Sequence, residues 1–292
     1  MKFSNRTAFA AALALGTMAS TASATTLEIT VTHNGNTPLF ITPLYTAFHN
    51  GDFDAFDVGD RASDGLRLLA ETGRFGPGSE VGTIASERVS TVGGQGGGVF
   101  GNSTPGTPIF SPGLGPDGAS TGTATIDIAD PTENRFFTFL AMILPSNDTF
   151  IGNDNQRAYE LFDEFGDFLG PIDIDVTGLD IYDAGTEVND PSASGGGAFV
   201  LGADIAAGED EDGFIRQGVD INDFAGVGLA PPPDRFNQIG TLDGFIDFTA
   251  DPKNFNLLTI SIREVAPVPL PASGLLLLAG VGGLMAARRR KV

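Results

Sequence analysis

The chain has no cysteine and no tryptophan, two histidines, three tyrosines, and 16 lysines and arginines against 37 aspartates and glutamates. Without thiols there are no disulfides and no thiolate metal sites, so if exported it must be stabilised by packing, to which bound ions can add. No serine sits in a Gly-x-Ser-x-Gly setting and no His-Glu-x-x-His occurs, which removes two common hydrolase constellations. His33 and His49 fall on early strands, where a histidine is more often a satisfied structural residue than a catalyst. A pair of carboxylates cleaving a glycosidic bond is the enzyme chemistry still open. Sugar clefts are usually lined with aromatics, however, and the 23 phenylalanines here read as core. The composition points away from an enzyme.

Both ends carry targeting patterns. Lys2 and Arg6 precede an apolar run from Thr7 to about Met18, and Ala22-Ser23-Ala24 offers small residues, so residues 1–24 read as a secretory signal peptide cleaved after Ala24. At the other end, residues 265–292 comprise a proline-rich linker, an uncharged stretch from Leu270 to Ala287, and Arg288, Arg289, Arg290 and Lys291. As a helix the uncharged stretch spans about 27 Å, enough for a hydrocarbon core, and the basic cluster stays on the cytoplasmic side. Val268-Pro269-Leu270-Pro271-Ala272, the helix and the arginines resemble, in that order, a bacterial sorting signal of the PEP-CTERM type in its Val-Pro-Leu-Pro-Ala variant. That resemblance implies an exosortase-type processing enzyme as a partner, and an exported protein of the cell envelope or surface, membrane-anchored or released after C-terminal processing.

Between the ends lie about 240 residues, ample for one large all-β domain. Without Lys2, Arg6 and the four basic residues at 288–291, ten basic residues face 37 acidic ones, a formal charge of −27. Such a surface repels nucleic acid and attracts divalent cations.

Alternation in "LEITVTH", "TATIDIAD", "PIDIDVTGLDIYDAG" and "NLLTISIREV" predicts half-buried strands, with Ile172, Ile174 and Val176 inward and Asp173 and Asp175 outward. "RFFTFLAMILP" is apolar enough for a central strand covered on both faces. Shorter extended segments are expected at "LFITPLYTAFHN", "AFVLGADI" and "GFIDFTA". One helix is expected, over "ASDGLRLLAETG", with Ser63 or Asp64 as cap and Gly73 as stop. From Val92 to Gly122 the chain is rich in Gly, Pro, Ser and Thr and reads as a long surface loop. It matches neither the calcium-binding nonapeptide repeat nor a phosphate loop. The expected class is an all-β antiparallel sandwich with one short helix, long Gly/Pro-rich loops and a C-terminal transmembrane helix.

"ASDGLRLLAETG", "MILPSNDTFIG" and "YDAGTEVND", in this order, resemble bacterial members of the spondin N-terminal domain family over roughly residues 25–264. The resemblance implies a C2-like β-sandwich with a calcium ion held by loop acids at one end. Its ligands here would be Asp148 in "PSND" and Asp183 and Glu187 in "DAGTE". The chain departs from animal members in having Glu at 187, whose carboxylate still reaches a calcium ion, and in lacking cysteines.

The residues support the same chemistry independently. Calcium takes roughly six to eight oxygen ligands, so its site needs several carboxylates plus carbonyls or water. Asp148 and Asp183 each end a predicted strand, and Gly185 permits a tight reversal that turns Asp183 and Glu187 to one side. Against this stands the plain alternative that acidic loops are ordinary in so negative a chain. Asn189, Asp190, "DEFGD", "GEDEDG" and "DIDV" read as solvated, and none fits an EF-hand. The expected function is an exported calcium-binding interaction or adhesion module that meets an extracellular protein or polysaccharide. A structural exopolysaccharide or envelope component in which calcium only stabilises the fold is the first alternative, and a secreted carbohydrate-active hydrolase the second.

Overall fold

The computed structural model describes residues 24–34, 40–76, 80–92, 121–144, 146–188, 209–218 and 252–266. The signal peptide up to residue 23, the glycine-rich segment at 93–120, the segments expected as strands at 198–205 and 244–250, and the tail from 267 onward with Val268, Pro269, Leu270, Pro271 and Ala272 lie outside the described residues. Among the described residues no helix is long and apolar enough to cross a membrane.

These residues form two antiparallel sheets with few helices, an all-β arrangement. In the first sheet β1 (Thr25–His33) lies between β4 (Thr121–Ile128) and β10 (Asn256–Glu264), and β7 (Ile172–Thr177) flanks β10. The period-two pattern sets the faces. Leu27, Ile29 and Val31 are buried, and Ile29 stands opposite Ile262 and Ala124. The outer face is polar: Thr30 and Thr123 share a hydroxyl contact at 3.0 Å, Thr259 donates to Asp175 at 2.8 Å, and Ser261 donates to Asp173 at 2.6 Å.

The second sheet is built on β5 (Phe136–Leu144). It pairs with β2 (Phe40–Ile41) and β3 (Tyr45–His49) on one side and with β6 (Thr149–Gly152) on the other. Beyond β6 come β8 (Ile181–Asp183) and the edge strand β9 (Arg216–Gln217). β2 and β3 form one extended segment broken around Pro43, which has no N–H for the ladder. Thr42 bridges the break, donating its N–H to the Met142 carbonyl at 3.0 Å and accepting from Met142 N–H at 3.1 Å.

One core lies between the sheets: Leu27, Ile29, Val31, Ile260 and Ile262 meet Phe137, Phe139, Ala141 and Ile143. A second core covers the other face of the second sheet, where Tyr45, Leu140, Phe150 and Tyr182 meet residues from two helices. β5 is thus buried on both faces, as its apolar run predicts. Each large apolar side chain so buried contributes about 1.5–3 kcal/mol.

The first helix, α1 (Asp64–Thr72), starts where Ser63 Oγ accepts from Leu66 N–H at 3.1 Å and stops at Gly73, whose φ of 69° suits glycine. The expectation of a single helix is corrected by α2 (Ile84–Val92). Its β-branched residues and serines have weak helix propensity, so pattern alone does not reveal it. Tertiary contacts hold it instead: Ile84 and Ala85 enter the second core, and the Glu87 carboxylate accepts from Ser63 Oγ and Gly65 N–H, each at 2.8 Å, at the start of α1. Glu87 thereby extends the N-terminal cap of its neighbour.

Candidate metal centre

β6 and β8 are adjacent, and Thr149 stands opposite Asp183. Asp148, one residue before β6, and Asp183, the last residue of β8, therefore come to the same end of the second sheet. The turn before β6 is closed by Ser146, whose hydroxyl donates to the Ile143 carbonyl at 2.7 Å and accepts from Thr149 N–H at 3.0 Å.

After β8 the chain wraps around Asp148. Ala184 N–H donates to the Asp148 carbonyl at 3.1 Å; Thr186 N–H, Glu187 N–H and the Thr186 hydroxyl donate to Asp148 Oδ2 at 2.7, 3.0 and 3.1 Å. Gly185 makes the wrap possible. Its φ is +64°, and a Cβ there would lie 2.6 Å from the Phe214 carbonyl oxygen, so a side chain would force the backbone apart.

All three predicted ligands are buried: Asp148 and Asp183 at 0 % exposure and Glu187 at 4 %. Asp183 Oδ1 accepts from Gly185 N–H at 2.6 Å, and Oδ2 accepts from the Arg216 guanidinium at 2.7 Å. Glu187 is held through its backbone: Asn147 Nδ2 donates to its carbonyl at 3.3 Å, and Glu187 forms an antiparallel bridge with Asp210. Asp148 is lopsided. Its Oδ2 has three donors, while its Oδ1 is buried with no hydrogen-bond partner. Burial first, and then the charge of Asp183, push its carboxyl up to about 7 against the pull of the Thr186 and Glu187 donors.

Among the described residues no group of three or more His, Cys, Asp or Glu side chains converges closely enough to hold a metal ion. Two of the three predicted carboxylates, those of Asp148 and Asp183, interact, and the backbone of the third is bonded to Asp148. The available donors are all oxygens, and one buried carboxylate oxygen has no donor of its own. Oxygens are the atoms a hard divalent cation takes, but as placed the three carboxylates do not meet and the Arg216 guanidinium already serves Asp183.

Sequence reasoning did not find Arg216, Thr186, Asn147 or Glu71. Arg216 lies on a two-residue strand, too short for any periodicity, and its only local mark is a basic side chain after the acidic "GEDEDG". Glu71 of α1 accepts from Arg67 at 2.8 Å, and its Oε2 is a second buried carboxylate oxygen with no partner. Burial raises its pKa, partly offset by a Thr186 contact and by Arg67. In "GEDEDG", Asp210 and Asp212 are solvent-facing and pair with Arg67, at 2.6 Å, and Arg61. Asn189 and Asp190 lie outside the described residues. Against known proteins, no family model matches the chain, and no curated protein matches it at a significant level.

Proposed function

We propose that the protein is an exported calcium-binding β-sandwich of the C2-like, spondin N-terminal type, acting as an interaction or adhesion module at the cell surface or in the extracellular matrix. The observation that carries this reading is the buried Asp148 Oδ1, which has no donor and stands beside the charge of Asp183. A bound calcium ion would supply positive charge there. Asp148, Asp183 and Glu187, which do not converge as they stand, would have to close on it together with loop carbonyls or water. The chain's own part is to orient the carboxylates: Thr186 and Gly185 fix the loop, and Asn147 fixes the Glu187 backbone. Ordering this end would present a defined surface to an extracellular protein or polysaccharide, while the tail after residue 265 would serve as membrane anchor or as sorting signal for an exosortase-type enzyme.

The test is thermal unfolding of the full chain in chelator and again as calcium is returned. A ligand that binds the folded state stabilises it by about 2.7 kcal/mol at a hundredfold excess over Kd. We expect the midpoint to rise with calcium, and the rise to vanish in Asp148→Asn and in the double variant Asp183→Ala with Glu187→Ala. A midpoint indifferent to calcium sinks the reading. For the tail, an intact mass ending near Ala272 in mature protein shows processing, and full-length membrane-bound protein shows anchoring.

A further inference from the structure

We propose that Asn50 and Gly51 form a self-modifying site, at which the fold promotes loss of ammonia from the Asn50 side chain and leaves aspartate or isoaspartate in its place. The proposal stands apart from the calcium reading. Both histidines of the chain are followed by Asn-Gly, at 33–35 and at 49–51. Such a pair closes readily to a succinimide, because glycine has no Cβ to obstruct its own amide nitrogen as that nitrogen meets the preceding side chain. At 49–51 the reacting groups are already arranged. Gly51 N–H donates to His49 Nδ1 at 3.1 Å, so that ring nitrogen carries no proton and is placed to take one. Asn50 Oδ1 accepts from Asp52 N–H at 3.0 Å, which folds the carboxamide back over the Gly51 peptide and polarises the carbonyl where negative charge develops on attack. Asn50 Nδ2 donates to Asp52 Oδ2 at 3.0 Å, which fixes the way the amide points.

The step balances within the turn. The Gly51 nitrogen bonds to Asn50 Cγ while its proton passes to His49 Nδ1; the Cγ–Nδ2 bond then breaks, and Nδ2 takes that proton and leaves as ammonia. Water opens the five-membered imide at either carbonyl, so one water is consumed, one ammonia is released and no electrons change hands. Asn50 is half-buried and Asp52 exposed, so water reaches the ring. The fold itself requires glycine at 51, where φ is +96° and a Cβ would lie 2.9 Å from Arg157 Nε and 3.0 Å from the Phe136 ring. The product carries a new carboxylate beside Asp52 and near Arg157, whose Nε donates to the Gly51 carbonyl at 3.3 Å. The other His-Asn-Gly is held differently. Asn34 Nδ2 donates to Asn256 Oδ1, and to Thr259 Oγ1 at 3.5 Å, so its carboxamide is drawn across to β10.

The experiment ages the full chain in native buffer and in urea between pH 5 and 7, then digests it and follows deamidation and isoaspartate by mass spectrometry in the peptides carrying Asn50 and Asn34. We expect Asn50 to convert about tenfold faster folded than in urea, because its groups are held in place, and Asn34 to convert no faster folded. Arg88 of α2, Arg157 and Asp52 face the His49 ring; burial and the two arginines keep it unprotonated well below neutral pH. The folded rate at Asn50 should therefore stay nearly level from pH 5 to 7, whereas the rate in urea climbs with hydroxide. Asp52→Ala should bring the folded rate down toward the urea rate, and Asp52→Asn, which keeps an acceptor oxygen, should retain it. Asn50 converting no faster folded than in urea overturns the proposal. So does a folded rate that climbs with pH as steeply as the urea rate, or one that Asp52→Ala leaves unchanged.

Discussion

His49 and Asp148 are both polar, both in the second sheet or at its end, and both fully buried, yet they are treated differently by their surroundings. The His49 ring has each nitrogen served: Nδ1 accepts from Gly51 N–H at 3.1 Å and Nε2 meets Thr138 Oγ1 at 3.0 Å, with Phe53 and Phe136 against the ring. Asp148 crowds three donors onto one oxygen and gives the other none. A buried polar group with all its partners belongs to the fold; one with a vacant valence has capacity for a ligand or a proton. Burial lowers the His49 pKa to about 4, helped by the charges of Arg88 and Arg157, and it raises that of Asp148 to about 7. The two residues should therefore respond to pH in opposite senses.

That contrast provides the largest expected effect. The Asp148 carboxyl holds its proton more tightly folded than unfolded, so in chelator its contribution is full below about 3.8 and is lost as pH rises through about 7. His49 runs the other way: its contribution is full above 6.5 and is lost as pH falls through about 4. Denaturant melts from pH 4 to 8 should show Asp148→Asn flattening the alkaline loss and His49→Leu flattening the acid one. Swapped or absent effects would break the comparison.

Next in size, His49→Ala should cost about 3 kcal/mol, from lost packing and an orphaned Gly51 N–H, while leaving the calcium-induced rise in midpoint intact. Gly185→Ala should cost about 2 kcal/mol, since its Cβ meets the Phe214 backbone, and it should weaken the calcium response because the loop around Asp148 must shift. Smallest is Thr186→Val, which removes one of the three donors to Asp148 Oδ2. We expect about 1 kcal/mol by denaturant melts and a retained calcium response, because the two backbone donors remain.

Legibility followed the range of the interactions. β1, β4, β5, β7 and β10 are readable because alternation or an unbroken apolar run is a local signal that burial simply obeys. α1 is readable from Ser63 and Gly73 because capping acts within one turn. α2 is not, because its stability comes from Glu87 reaching Ser63 and Gly65 of another helix. Nor is β9, whose two residues exist as a strand only against Tyr182 and Asp183. In the centre, the motifs single out Asp148, Asp183 and Glu187 among many acids, but no local pattern tells that Arg216 faces Asp183 or that Thr186 serves Asp148.

From residue order alone come the all-β class, the inward faces of the long strands, the acidic surface and the acids worth attention, since each depends on composition or on a period of two. Which acids lose their water, which receives a guanidinium and which keeps a bare oxygen was settled by the tertiary structure. Those outcomes join residues 33 apart for Arg216 and Asp183, and 38 apart for Thr186 and Asp148. At such separations the strand register and the turn at Gly185, and not any neighbour in the chain, decide which groups meet.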